Sequence, residues 1–225
     1  MGVDRCLRKL YIRRVPVSSQ SKERRSSILD AVITLLAEHG VGGVTHRAAD
    51  AAAGLRPGST TYYFPKKAGL LHAAAMQLAA ELEKDCDQLQ ITFADVVAKQ
   101  GLASAIDYVA RQLVASLEQA KRLQLARIEL TMAAARTDEL PGVASRLAVA
   151  ARRPIEFFIS LIYDGQREAP IDACVGLIDG IALMYVTGQG PQPTADQVAT
   201  VIRSLVQMPI KPSGRAPASV KRKPK

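Results

Sequence analysis

Apolar residues recur along this chain at three- and four-residue intervals, the spacing of one face of an α-helix. In residues 22–39 they fall at Ile28, Val32, Leu35 and Leu36, and Gly40 then supplies a stop before a flexible corner at Gly42 and Gly43. A longer stripe through Leu71, Ala74, Ala75, Leu78, Leu82, Cys86 and Leu89 predicts an extended helix. It opens at Pro65-Lys66-Lys67, and Gly69 weakens its first turn modestly. Further helices are predicted over residues 102–118, 122–136, 143–163 and 171–186, and Pro154 is expected to kink or split the third of these. Residues 188–193 read as a loop. A last helix follows over 194–206, capped by Thr194 and apolar at Val198, Ile202 and Leu205. No stretch shows the strong period-two alternation of a half-buried strand, and no internal repeat is present, so the expected fold class is all-α.

Between the first helix and the long one lies VTHRAADAAAGLRPGSTTYYF, from Val44 to Phe64. Thr45 is placed to cap a helix whose Ala48 to Ala53 stretch is small enough for close packing. Gly54 stands where a left-handed turn would end it, and Leu55 can plug the crevice that follows. Arg56-Pro57-Gly58 then opens a second short helix, with proline suited to its first turn. Ser59, Thr60, Thr61, Tyr62 and Tyr63 make that helix polar and aromatic, suited to groove edges and phosphates. Two short helices about a tight turn form the helix-turn-helix arrangement that places its second helix in the DNA major groove.

At these residues the sequence resembles the TetR family of bacterial transcriptional regulators. The resemblance rests on Thr45, Arg47, Ala53-Gly54-Leu55, Gly58, Tyr63-Phe64, Lys67 and Leu70-Leu71, about the first third of the chain. Three positions depart from the family pattern: Ala49 for the usual larger apolar residue, Asp50 for a small one, and Thr60-Thr61 for a Leu-Tyr pair. The resemblance implies that Thr45, His46 and Arg47 approach one phosphate backbone and Lys67 another, although Lys67 also reads as an ordinary exposed lysine. It further implies a homodimer on a palindromic double-stranded operator, released by a small-molecule effector, with the last two helices forming the dimer interface. A ligand-independent or partner-controlled DNA-binding protein, whose second domain only dimerises, is the alternative.

Base reading is expected from Gly58, Ser59, Thr60 and Thr61, whose hydroxyls and methyls suit several base edges. Tyr62 is the better phosphate or base-edge contact of the two tyrosines, Tyr63 packing partly against the scaffold with Phe64 and Leu55. Arg56 suits either a guanine or a phosphate. In the second domain, Tyr108, Arg127, Glu129, Met132, Phe157, Phe158, Asp179 and Met184 lie on helices that surround a ligand pocket in relatives, although Met and Phe at helical spacing are more often plain core.

Charge sharpens the division. The net charge of +9 is divided unevenly: residues 1–20 hold five basic and one acidic, and residues 209–225 hold six basic and none acidic. Residues 21–71 carry a net +3, and residues 72–208 a net −4. A basic reading head (21–71, helix-turn-helix 45–64) and a slightly acidic effector and dimerisation domain (72–208) are therefore expected. The arm (1–20) and tail (209–225) read as disordered segments that solubilise the chain or add salt-sensitive DNA attraction.

Apolar content of 48% places the chain among folded globular proteins. Its most apolar stretch, residues 171–186, includes Asp172 and Asp179 and is shorter than the roughly 18 residues of a membrane helix. Three scattered cysteines, Cys6, Cys86 and Cys174, suit a reducing cytoplasm rather than a disulfide framework. The basic N-terminus lacks the apolar core of a secretory signal. His39 and His72 have no metal-ligand partner at helical spacing, and no nucleophile–base or paired-carboxylate constellation stands out. Metal, cofactor and catalysis are not expected; the cytoplasm and its nucleoid are the expected compartment.

Overall fold

The computed structural model describes residues 17–163 and 171–207. The arm before residue 17 with Cys6, the basic tail, and the side chains of Phe158, Cys174 and Leu205 lie outside the described residues. The described residues form seven helices in order: α1 (Val17–Gly43), α2 (His46–Ala52), α3 (Ser59–Tyr63), α4 (Lys67–Ala134), α5 (Val143–Tyr163), α6 (Ile171–Val186) and α7 (Ala195–Gln207). No strand occurs among the described residues, and no described helix is long and apolar enough to cross a membrane.

Glycines set the breaks. Gly40 interrupts α1 with φ 64°, ψ −175°, and Gly101 interrupts α4 with φ 82°, ψ 171°, backbone regions in which a Cβ is strained. The sequence expectation of separate helices over 102–118 and 122–136 is corrected. Neither Gly nor Pro occurs between Leu102 and Ala134, and Glu118-Gln119-Ala120-Lys121-Arg122 is a run of good helix formers, so the helix continues. Of the two outcomes expected at Pro154, a kink or a split, the split does not occur: α5 is one helix through it. Proline removes one amide from the ladder, and the turns on either side keep the segment helical.

The chain falls into two compact units: residues 17–85 with 117–151, and residues 86–116 with 152–207. In the first, Ile28, Val32, Ile33 and Leu36 of α1 pack with Val44, Phe64, Leu70, Leu78, Leu130, Val143 and Leu147 in one apolar core. Each large side chain buried this way is worth about 1.5–3 kcal/mol relative to exposure. Arg146 grips Glu83 through two bonds of 2.7 Å, tying α5 to α4. Among its described residues the second unit has an apolar cluster around Ile106, Ala110, Val198 and Ala199 and another around Phe93, Ala105 and Val109. Phe93 meets Phe157 edge to face at 6.2 Å, and Arg203 pairs with Asp107.

Candidate nucleic-acid interface

The first unit carries α2 and α3 at its surface. Thr45, extended at φ −128°, ψ 159°, accepts the Ala48 amide through its hydroxyl at 3.0 Å and starts α2 as expected. Gly54 at φ 65° makes the turn, and Leu55 lies half-buried against the core. Gly58 then caps α3 from the left-handed region at φ 89°. Pro57 accordingly sits ahead of the cap, not in the first helical turn as the sequence suggested.

Five residues make too short a helix to persist alone, so neighbours must hold it. Asp50, a buried carboxylate only 3% exposed, lies on α2 facing it. One oxygen accepts the Gly58 amide at 2.7 Å; the other accepts the Thr60 amide at 2.6 Å and the Thr60 hydroxyl at 2.7 Å. Burial alone would raise the Asp50 carboxyl, but those three hydrogen bonds and nearby His46 outweigh it and hold the group below the ordinary aspartate value. At the other end, His46 Nε2 lies 2.6 Å from the Phe64 carbonyl oxygen. The Arg25 guanidinium stacks 4.9 Å over the buried Phe64 ring, joining α1 to the same corner.

This arrangement sorts the residues singled out from the sequence. Thr45, Arg47, Arg56, Pro57, Gly58, Thr61, Tyr62 and Lys67 are exposed, while His46, Ser59 and Tyr63 are half-buried. Tyr62 stands out most, 81% exposed, with its ring edge-on to Tyr63 at 5.0 Å. Thr60 is the correction: it is fully buried and its hydroxyl serves Asp50, so its side chain has no surface to offer a base. The Ser59 hydroxyl donates to the Arg56 carbonyl at 2.6 Å. Lys67 Nζ donates to the Val41 carbonyl at 2.8 Å, whose own residue's amide donates to Glu129 at 3.3 Å. An ammonium has three donors, so that bond aims Lys67 without exhausting it.

An open cleft of about 850 Å³ runs beside α3, lined by Gln20, Ser21 and Arg24 of α1 and by Arg56, Ser59 and Tyr62. Sequence reasoning missed the α1 side of this cleft, and missed Asp50 as a holder of α3. Asp50 was visible as a carboxylate within an alanine-rich stretch, a group that is costly to bury without donors.

The residues named for a ligand pocket are divided between the two units. Arg127 and Met132 belong to the first unit, whereas Tyr108, Phe157, Phe158, Asp179 and Met184 belong to the second. Tyr108 and Phe157 pack at the Phe93 cluster, while Met132 and Met184 are 45% and 51% exposed.

Comparison with known proteins agrees with this geometry. Residues 28–74 match the family described as bacterial regulatory proteins, tetR family, and residues 100–208 match the tetracyclin repressor-like C-terminal domain. No curated protein matches the sequence. Among solved structures, a TetR-family member from Streptomyces coelicolor A3 is 24% identical with a TM-score of 0.62, over 84% of this chain and 99% of that one. The multidrug binding protein EbrR complexed with malachite green is 25% identical with a TM-score of 0.59, again over 84% and 99%. The same protein complexed with ethidium is 24% identical with a TM-score of 0.59, over 83% and 99%. At these identities the likeness speaks chiefly for the fold; the two family matches, joined to a helix-turn-helix with its second helix turned outward, place this chain in the TetR family of DNA-binding transcription regulators.

Proposed function

We propose that the protein is a ligand-responsive repressor that binds a palindromic operator as a homodimer in the cytoplasm. The observation that carries this reading is the outward presentation of α3, with Tyr62 the most exposed large apolar side chain among the described residues. The reading head is residues 21–71, and residues 72–208 supply effector binding and dimerisation. Ser59, Thr61 and Tyr62 read base edges from α3, with Arg56 beside them and Gly58 and Pro57 close to the groove wall. Thr45, Arg47 and Lys67 bind phosphates, joined by Arg24 across the cleft. Tyr63 supports Tyr62 through the edge-on ring contact.

Support for a homodimer comes from α6. Ala173, Gly176, Leu177, Leu183 and Met184 are exposed apolar or small residues on one side of that helix, a face suited to a second copy. Two heads related by a two-fold axis would enter successive major grooves about 34–36 Å apart. An effector with about 1–3 kcal/mol of preference for a conformer with mismatched heads would change operator occupancy several-fold or more. Aromatic residues at Tyr108, Phe93 and Phe157 suit an apolar, aromatic effector, and the dyes held by EbrR make malachite green and ethidium reasonable first probes.

The test begins with a duplex selected by the protein from a randomised pool. Tyr62→Phe and Lys67→Ala are each expected to weaken binding to it by roughly three- to thirtyfold while the fold is retained. Unchanged affinity in both variants would count against the contacts assigned here. Loss of operator binding on adding a dye that also raises the melting temperature would favour an effector-controlled repressor over a DNA-binding protein whose second domain only dimerises.

A further inference from the structure

The reading helix is gripped at both ends by a single face of α2. His46 and Asp50 are four residues apart, so they project from the same side of that helix. Asp50 takes the leading end of α3 through the Gly58 amide, the Thr60 amide and the Thr60 hydroxyl. His46 takes the trailing end at the Phe64 carbonyl, 2.6 Å away. A carbonyl only accepts, so His46 Nε2 is the nitrogen that carries the proton. Thus a helix of five residues, from Ser59 to Tyr63, is bracketed by side-chain bonds at 58, 60 and 64.

Neither side chain suits direct contact with DNA. Asp50 is buried and anionic, and a phosphate would repel it; His46 is half-buried with Nε2 spent on the backbone. We propose that His46 and Asp50 are positioning residues that fix the depth and angle of α3, and so determine sequence specificity without touching a base. This inference rests on the reading of α3 as the base-reading element. It separates two quantities. Arg24, Arg47 and Lys67 lie outside α3 and give sequence-independent attraction to phosphates. Ser59, Thr61 and Tyr62 lie on α3 and lose their register when the clamp loosens.

The experiment measures dissociation constants for the duplex selected by the wild type and for a scrambled duplex of equal length, at one salt concentration. Asp50→Asn replaces one acceptor oxygen with a donor, so an amide at 58 or 60 meets another donor. Thr60→Val removes one donor at nearly constant size, and Thr60→Ser keeps it. Asp50→Asn and Thr60→Val are expected to cut affinity for the selected duplex about tenfold or more, and for the scrambled duplex by less than about threefold. Thr60→Ser is expected to stay within about threefold of the wild type on both. If Asp50→Asn does not fold, Thr60→Val and its serine counterpart carry the test, since the first removes one bond only and the second removes none. Equal losses on both duplexes, or a Thr60→Val protein indistinguishable from the wild type, overturn the clamp. A wild type that selects no sequence overturns the DNA-reading function itself, and the clamp with it.

Discussion

Asp50 puts a negative charge inside a basic head, next to the helix proposed to approach a polyanion. Its cost is offset locally, because three donors from residues 58 and 60 converge on its two oxygens. Those bonds favour the ionised form and leave its folded-state value below the unfolded one. A depressed carboxylate contributes stability that is fully present above its unfolded value, near pH 4, and lost as pH falls through the lower folded value. Thermal melts from pH 7 to pH 2 should therefore show an acid-side loss in the wild type that is smaller in Asp50→Asn; identical acid limbs would show that this carboxylate is not coupled to folding. At this scale the sequence was legible wherever the cause was local. Thr45 caps, Gly54 turns and Tyr62 projects because each depends on its immediate neighbours. Thr60 was misjudged because its burial is decided by a carboxylate ten residues earlier.

At the scale of elements, breaks follow backbone chemistry more closely than apolar spacing does. Gly40 and Gly101 interrupt helices where φ is positive, whereas the gap read after residue 118 held no breaker and vanished into α4. The pair φ 82°, ψ 171° at Gly101 belongs to a region that residues with a Cβ hardly enter, although nothing nearby would block that atom. Gly101→Ala is thus expected to destabilise the protein by about 1–3 kcal/mol in urea unfolding, through backbone strain alone. An unchanged or increased midpoint would mean that the segment straightens into helix without cost. Core membership was the least legible property of the elements. Leu130, Val143 and Leu147 complete the core under α1, and only tertiary packing brings residues more than 90 positions apart together.

For the whole molecule, a recognisable head and an all-helical body were readable because the helix-turn-helix is a compact, local pattern. The grouping of residues 117–151 with the head was not, since it depends on which helical faces meet. Dimerisation is decided at this scale. Leu177 and Met184 are 50% and 51% exposed on α6, and charging both, in Leu177→Glu with Met184→Glu, is expected to yield a folded monomer in sedimentation. A dimer that survives both changes would place the subunit contact elsewhere. Such a monomer would hold a single head and lose the gain in affinity that comes from two linked contacts.

The most direct measurement is a hydroxyl-radical footprint of the wild-type protein on a duplex it selects from a random pool. Two symmetric protected half-sites, centred about 10–10.5 base pairs or a multiple apart, are the expected result, fading when α3 carries Tyr62→Phe. A single asymmetric patch, or protection that ignores sequence and α3 alike, would contradict the account.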